Sequence, residues 1–289
     1  MCRLFGFRSV IPSMVHRSLI DADNALGVQS EKHPDGWGVA YYIDNAPHVM
    51  KSVSTALTDQ LFQRVSGIVS SETVVAHVRK ATQGDLSVLN AHPFQYGRWV
   101  FAHNGDIPEF GEVRKTLLNE VAPRLRRFVL GDTDSEVIFF LFLSELQRHG
   151  ALANNHGTDE VFAALSTAVE RVREICDTKQ RGHTSLLTLL ATNGATLAAT
   201  RGGKELYWSS YKTRCADRDT CPSLSDECEA PTLTGFVNHL ILSSEPLGGE
   251  NVWHELDDGG MIGVDWRMRL VHRGLDESRS LPIVHDAAS

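Results

Sequence analysis

The second residue of the chain is a cysteine, so removal of the initiator Met1 would leave Cys2 with both a thiol and a free α-amino group. A thiol becomes a strong nucleophile only after a base has taken its proton, and a terminal amine with a pKa of roughly 7.7–8.0 can do so near pH 7. A side-chain nucleophile activated by its own terminal amine is an established catalytic arrangement. The competing interpretation is an incidental cysteine at a frayed chain end, and the downstream residues decide between the two.

Five short motifs downstream of Cys2 carry side chains that could bind and activate a substrate. They are His33–Gly38, His77–Thr82, Asn90–Phe94, His103–Asp106 and Asp132–Glu136. Taken singly, each has an ordinary structural explanation, such as a turn at Asn104-Gly105 or a first-turn helix acid at Asp134. A functional role is therefore indicated only by the presence of all five motifs in one chain.

Considered together, the motifs supply a complete set of partners for one kind of molecule. Arg79 offers a planar fork for a carboxylate, and Asp134 offers a negative partner for an ammonium group. The Asn104 amide beside the backbone N–H of Gly105 offers two donors for an oxyanion. A molecule with an α-carboxylate, an α-ammonium and a carbonyl open to attack is an amino acid with a side-chain amide. The residues therefore indicate glutamine or another γ-glutamyl amide.

The elements that must position these residues are strands, then two long helices, then more strands. Apolar or alternating segments predict strands over Arg3–Phe7, Trp37–Ile43, His48–Val53, Thr73–Val78 and Trp99–His103. The sequence Thr133-Asp134-Ser135-Glu136 predicts the start of a helix over 134–148. Further helices are predicted over 13–27 and 160–178. A series of strands is predicted between 185 and 272, with a hairpin turn at Gly194. This order favours an α+β fold over alternating βαβ units.

Composition and charge narrow the class of protein. The formal charge is 28 − 36 = −8 over 289 residues, which disfavours nucleic acid as a partner. The longest apolar runs, such as Val137–Leu143, are too short to span a membrane, and the N-terminus lacks the apolar region of a signal peptide. We therefore expect a cytoplasmic protein with one domain over residues 2–281 and a loose tail over 282–289.

The chain contains five cysteines, an odd number that does not indicate a disulfide framework. Cys215, Cys221 and Cys228 lie in one polar stretch with the spacing C-x5-C-x6-C. Zinc sites usually show closer cysteine pairs and a fourth ligand. Incidental thiols in an insertion loop are therefore favoured over a structural zinc site.

The motifs, in this order, resemble class II glutamine amidotransferases of the N-terminal nucleophile hydrolase superfamily. The matching segments are Met-Cys-Arg-Leu-Phe-Gly at 1–6, Pro-Asp-Gly-Trp-Gly at 34–38, His-Val-Arg-Lys-Ala-Thr at 77–82, Asn-Ala-His-Pro-Phe at 90–94, His-Asn-Gly at 103–105 and Thr-Asp-Ser-Glu at 133–136. They cover roughly the first half of the chain. Ser243–Leu247 resembles the short, stand-alone subgroup, which includes the γ-glutamyl amidohydrolase of ergothioneine synthesis and a glutathione-degrading amidotransferase subunit.

The resemblance implies a four-layer αββα sandwich, in which two antiparallel sheets lie between helical layers. It also implies a site that needs no metal or organic cofactor. By the resemblance, Cys2 would be the nucleophile and, through its amine, the base. Arg79 would bind the α-carboxylate, with Thr82 and His92 shaping the same pocket. Asn104 and Gly105 would form the oxyanion hole, and Asp134 would bind the α-ammonium.

The part of the chain after about residue 150 is too short for an independent synthase domain that would consume the ammonia. The sequence therefore leaves open which molecule receives the ammonia or the γ-glutamyl group. A free-standing γ-glutamyl amidohydrolase and a glutaminase subunit that passes ammonia to a partner synthase both fit. A glutamine-sensing binding module fits if Met1 is retained, since the amine is then blocked. A cysteine protease fits less well, because none of the 13 histidines stands out as a separate base.

Overall fold

The computed structural model describes residues 2–178, 182–216 and 218–274, which form thirteen strands and six α-helices. The strands are β1 (Arg3–Met14), β2 (Trp37–Ile43), β3 (Ala46–Ser52), β4 (Ser70–Val78), β5 (Phe94–Tyr96), β6 (Trp99–Asp106), β7 (Leu186–Thr192), β8 (Leu197–Thr200), β9 (Tyr207–Ser209), β10 (His239–Ser243), β11 (His254–Glu255), β12 (Gly260–Val264) and β13 (Leu270–Gly274). The helices are α1 (Leu26–Gln29), α2 (Gln60–Ile68), α3 (Phe110–Glu120), α4 (Pro123–Arg126), α5 (Asp134–Leu146) and α6 (Thr158–Cys176).

The strands form two antiparallel sheets. The first has seven strands in the order β11-β9-β10-β1-β4-β2-β3, and the second has six in the order β13-β12-β8-β7-β6-β5. Apolar residues from both sheets pack against each other between them, including Leu4, Val75 and Leu242 from the first and Ala102 and Leu190 from the second. The two sheets therefore share one interior.

Helices cover the outer face of each sheet. Phe139 of α5 and Leu165 of α6 pack in one cluster with Phe101 of the second sheet. On the other side, Phe62 of α2 packs edge-on against Trp37 of the first sheet, with ring centroids 5.1 Å apart. The predicted α+β fold, with two antiparallel sheets between helical layers, is confirmed.

Helix α5 begins where the sequence predicts. Thr133 is its N-cap, and the Thr133 hydroxyl accepts a hydrogen bond from the backbone nitrogen of Glu136 at 3.3 Å. All residues of α5 are buried, which explains the unbroken apolar run Val137–Leu143. The first turn of α5 therefore has a fixed place beside the second sheet, and Asp134 lies in that turn.

The predicted helix over 13–27 is largely wrong. Strand β1 continues to Met14, because Ser13 and Met14 pair with β4 after an irregularity in the register. A π-helical turn at Arg17–Asp21 and the short α1 follow. Leu19 and Leu26 are both buried, so the helix-like apolar spacing comes from two separate turns packed on the outer core.

Three expectations concern residues that the structure does not describe. Met1, the domain boundary at residue 281 and the tail over 282–289 lie outside the described residues. Within the described part of the chain, no helix combines the length and the apolar character needed to cross a bilayer.

Candidate active site

The register between β1 and β4 determines where Cys2 lies. Arg3 pairs with Val78 in antiparallel orientation, so the start of β1 lies beside the end of β4. Cys2 precedes β1 and Lys80 follows β4, and Cys2 Sγ lies 3.4 Å from the backbone nitrogen of Lys80 and 3.5 Å from its carbonyl oxygen. The Cys2 side chain is thereby held beside the Arg79-Lys80 segment.

The thiol of Cys2 is buried among charged groups. Burial raises its pKa above the ordinary value, because it penalises the thiolate. The backbone hydrogen bond with Lys80 and the positive charge of Arg79 lower this pKa, whereas the negative charge of Asp134 raises it. Arg79 and Asp134 therefore lie close enough to Cys2 for their charges to act on its thiol.

Arg79 is buried, and its guanidinium faces the loop that follows β4. The guanidinium donates to the carbonyl oxygens of Gln83 at 2.7 Å, Asp85 at 3.3 Å and Gly84 at 3.4 Å. Burial lowers the Arg79 pKa, while the thiolate form of Cys2 and the negative charges of Asp35 and Asp134 oppose that shift. These bonds tie the orientation of the guanidinium to the conformation of the loop at 83–85.

The carboxylate of Asp134 is buried at the N-terminus of α5 and held by backbone N–H groups. Oδ2 accepts from Ile107 at 2.8 Å, and Oδ1 accepts from Ser135 at 2.7 Å. Burial raises the Asp134 pKa, while His103 and the two backbone donors lower it. The negative charge therefore has a fixed position, where an ammonium group would offset its desolvation.

Asn104 and Gly105 lie together near the end of β6. The Asn104 side chain is buried, and its Nδ2 donates to the hydroxyl of Ser244 at 3.2 Å. At Gly105, a Cβ atom would overlap the carbonyl oxygen of Leu186 and the ring of His103, so the position accepts only glycine without movement of the backbone. The close pairing of β6 with β7 thus requires the glycine beside Asn104.

The two remaining predicted residues lie in different surroundings. The His92 ring is buried and stacks on the His77 ring, with ring centroids 4.1 Å apart. The His92 and Phe94 rings meet edge to face, with ring centroids 4.7 Å apart. Burial lowers the pKa of His77 to about 3 and holds that of His92 well below its ordinary range, so both rings are neutral. His92 is therefore packed among aromatic rings, whereas Thr82 is exposed on the loop after β4.

The structure brings most of the predicted site together. Cys2, Arg79 and Asp134 lie within reach of one another's charges. Asn104 joins them through Ser244, whose hydroxyl also accepts from the backbone nitrogen of Leu4, two residues after Cys2. Thr82 and His92 are the predicted residues for which the structure gives no such link to Cys2.

Several residues of this region were not predicted. His77 and His103 form a buried contact, because a ring nitrogen of His77 lies 3.3 Å from the carbonyl oxygen of His103. Asp35 accepts from the backbone nitrogen of Ala81 at 2.8 Å and so joins two of the motifs. Ser244 lies in a segment that the sequence marked without giving it a role. His77, His103 and Asp35 could have been identified from the sequence, because each lies inside one of the motifs.

The three clustered cysteines give no indication of a metal site. Cys215, Cys221 and Cys228 are free thiols. Among the residues that the structure describes, no group of three or more His, Cys, Asp or Glu side chains could hold a metal ion.

The fold and this arrangement of residues agree with the comparisons with known proteins. The family model described as glutamine amidotransferases class-II matches residues 1–268. The chain therefore belongs to the class II glutamine amidotransferases, which are enzymes of amide hydrolysis and transfer.

Two of the relatives extend over most of the chain, and a third matches a smaller part of it. The "Probable glutamine amidotransferase DUG3" of Saccharomyces cerevisiae is 29% identical over 96% of this chain and 85% of its own length. The "Putative glutamine amidotransferase YafJ" of Escherichia coli is 25% identical over 93% of this chain and 97% of its own. A "Gamma-glutamyl-hercynylcysteine sulfoxide hydrolase" of Mycobacterium tuberculosis is 33% identical, but over 36% of this chain and 49% of its own.

A solved structure shows the same fold. The glutamine aminotransferase class-II domain protein of Silicibacter pomeroyi superposes with a TM-score of 0.63 at 23% identity, covering 94% of this chain and 99% of that one. At this identity the likeness concerns the fold alone.

Proposed function

We propose that the chain, once Met1 is removed, hydrolyses the γ-amide bond of glutamine or of a γ-glutamyl compound through a thioester on Cys2. The observation that carries the proposal is the contact of the buried Cys2 thiol with Lys80, the neighbour of the buried Arg79, in a site where the buried Asp134 carboxylate raises the pKa of that thiol. A γ-glutamyl substrate has a carboxylate for the cation, an ammonium for the anion and a carbonyl for the thiol. The relatives named as glutamine amidotransferases and as a γ-glutamyl hydrolase support the same class of substrate.

In the proposed first half-reaction, Cys2 Sγ attacks the γ-carbonyl carbon while the α-amine of Cys2 takes the thiol proton. The oxyanion accepts hydrogen bonds from Asn104 Nδ2 and from the backbone N–H of Gly105. The carbon–nitrogen bond then breaks, and the Cys2 amine gives its proton to the leaving amine. The products of this step are the free amine and a γ-glutamyl thioester.

In the second half-reaction, water attacks the thioester carbonyl and loses a proton to the same amine. The tetrahedral intermediate uses the same two oxyanion donors. Breakage of the carbon–sulfur bond releases glutamate, and the proton returns to the sulfur of Cys2. Arg79 and Asp134 hold the α-carboxylate and α-ammonium throughout, so that the reacting carbon stays beside the thiol.

A substrate panel tests this function. Loss of Met1 is first established by intact mass. Release of glutamate is then measured for glutamine, glutathione and other γ-glutamyl amides, and release of aspartate is measured for asparagine, which is one methylene shorter. We expect turnover of at least one γ-glutamyl amide, no turnover by Cys2→Ala and unchanged turnover by Cys221→Ser, a matched change at a free thiol. Turnover by Cys2→Ala, or none by the processed protein on any γ-glutamyl amide, would contradict the proposal.

The same panel separates the forms of the function. A strong preference for one γ-glutamyl amide over glutamine identifies a free-standing amidohydrolase. Glutamine turnover that rises only when a partner synthase is added identifies a glutaminase subunit. Binding of glutamine without turnover, in protein that retains Met1, identifies the sensing module.

A further inference from the structure

The segment that follows β10 lies against the strand that begins after Cys2. Ser243 at the end of β10 pairs with Phe5 of β1, which brings Ser244 beside Leu4. The Ser244 backbone nitrogen donates to the carbonyl oxygen of Leu4 at 3.1 Å, and the Ser244 hydroxyl accepts from the Leu4 backbone nitrogen at 3.0 Å. Ser244 is buried, so these bonds are shielded from water.

The same hydroxyl reaches across to the second sheet. Asn104 Nδ2, on β6, donates to Ser244 Oγ at 3.2 Å. Among the described residues, Ser244 is the hydrogen-bond partner of the Asn104 side chain, since Asn104 Oδ1 is buried without one. One side-chain oxygen thus joins the strand of Cys2 to the amide of Asn104.

This bond determines how the Asn104 amide is oriented. The amide nitrogen carries two N–H groups, and Ser244 takes one of them. The second N–H then has a fixed direction, which an oxyanion donor requires, because preorganised donors need no reorientation during the reaction. Without Ser244 the amide could rotate about its terminal torsion, which is broad for asparagine.

The next residue secures the other side of the Cys2 terminus. Glu245 accepts from Nε of Arg3 at 2.6 Å, and Nη1 of Arg3 donates to the carbonyl oxygen of Cys2 at 3.2 Å. Removal of Met1 would turn Cys2 into a chain end, and chain ends are mobile unless they are tied down. Glu245 and the backbone hydrogen bond from Ser244 to Leu4, which Ser244→Ala keeps, therefore hold the first residues of the chain in place after processing.

We propose that Ser244 is a positioning residue that orients the Asn104 amide for the oxyanion and aligns it with the Cys2 strand. The inference rests on the proposed function, because it assigns Ser244 a role in the same site. It goes beyond the roles that the motifs imply, because none of those roles falls on Ser244, which lies 140 positions after Asn104 in the sequence and meets it through the packing of the two sheets.

The experiment compares Ser244→Ala with Ser71→Ala in protein that has lost Met1. Ser71 is a matched control, because its buried hydroxyl also bonds backbone groups of a neighbouring strand, at Tyr42. We expect Ser244→Ala to lower kcat by about 10- to 100-fold with little change in KM, since the loss falls on the transition state. Ser71→Ala should leave both constants within about twofold, whatever its effect on stability.

A double-variant cycle shows whether Ser244 acts through Asn104. In an Asn104→Ala background the amide is gone, so Ser244→Ala should cause no further loss of kcat. Alkylation of Cys2 by iodoacetamide, which needs no oxyanion donor, should keep its rate in Ser244→Ala. If Ser244→Ala is poorly folded, Ser244→Cys keeps the size of the side chain with a weaker acceptor and should give a smaller loss in kcat.

The outcomes distinguish this inference from the proposed function. If the wild-type protein is active and a folded Ser244 variant keeps the wild-type kcat, the positioning role is overturned while the function stands. Full additivity of the Ser244 and Asn104 losses would also overturn it. If the processed wild-type protein hydrolyses no γ-glutamyl amide, the function itself has failed.

Discussion

Cys2 Sγ lies 3.4 Å from the backbone nitrogen of Lys80, the residue that follows Arg79. The contact results from the pairing of Arg3 with Val78, which places the start of β1 beside the end of β4. A slip of one residue in that register would turn every side chain of β1 to the opposite face. One strand pairing therefore sets the distance between the proposed nucleophile and the proposed carboxylate ligand.

The thiol of Cys2 should titrate at high pH in protein that retains Met1. Burial raises its pKa, so the thiolate is scarce at pH 7 and becomes more abundant as the pH rises. We expect the rate of alkylation by iodoacetamide, followed by mass spectrometry, to rise with pH and to reach its midpoint above that of a free peptide of the same first six residues. A midpoint at or below that of the peptide would contradict this environment.

Loss of the Arg79 charge should weaken binding of the substrate α-carboxylate. A hydrogen bond to a charged group contributes about 1.5–3 kcal/mol, so Arg79→Gln should raise KM for the preferred substrate by roughly 10- to 100-fold. A substrate analogue without the α-carboxylate should show no such difference between the two proteins. Arg98→Gln is the control, because Arg98 also donates to backbone carbonyls, at Ala153 and Asn193. An equal loss for both substrates would contradict the assigned role.

The lack of space at Gly105 predicts a large effect of a single methyl group. Gly105→Ala would overlap the Leu186 carbonyl and the His103 ring, and overpacking of this kind lowers the free energy of unfolding by about 1–3 kcal/mol or more. Gly111→Ala, on α3 with nothing within 4 Å of the added Cβ, should cause no loss. Urea denaturation measures both, and equal stability of the two variants would contradict the packing.

Buried neutral histidines should make the fold sensitive to acid. Burial lowers the pKa of His77 to about 3, lowers those of His33 and His239 to about 4, and holds that of His92 well below its ordinary range. In the unfolded chain these groups take up protons near pH 6.5. Their contribution to stability is therefore fully present above about pH 6.5 and decreases as the pH falls toward the folded-state values.

His92→Phe tests this contribution, because both ring nitrogens of His92 are buried without hydrogen-bond partners. One proton taken up on unfolding corresponds to a slope of about 1.4 kcal/mol per pH unit. Between pH 6 and pH 5 we expect His92→Phe to reduce the slope of unfolding free energy against pH by up to that amount. An unchanged slope in His92→Phe would show that His92 takes up its proton in the folded state.

The sequence predicted the long elements of the fold because their patterns are local. The apolar run of β4 and the Thr133 cap of α5 are visible within a few neighbouring residues. Short strands such as Phe94–Tyr96 and His254–Glu255 are too brief to show a period, so they were not predicted. The helix predicted over 13–27 is wrong, because two separate turns in this segment have the apolar spacing of a single helix.

The candidate site was predictable only where its chemistry lies inside a motif. The side chains at Cys2, Arg79, Asn104 and Asp134 belong to residue types and sequences that indicate an amide substrate. The place of Ser244 was not predictable, because its contact with Asn104 depends on the packing of two sheets. The buried state of His92 likewise depends on the stacked ring of His77 and the edge-to-face ring of Phe94.

The central claim is that the reaction passes through a thioester on Cys2 after Met1 is lost. Acid quenching of the processed protein during turnover, followed by mass spectrometry of its peptides, tests this directly. The peptide beginning at Cys2 is kept at acid pH, so that its protonated amine cannot take the acyl group from sulfur, and its mass should increase by one γ-glutamyl group. Turnover with no modified Cys2 peptide, or with the group attached to another residue, would contradict this claim.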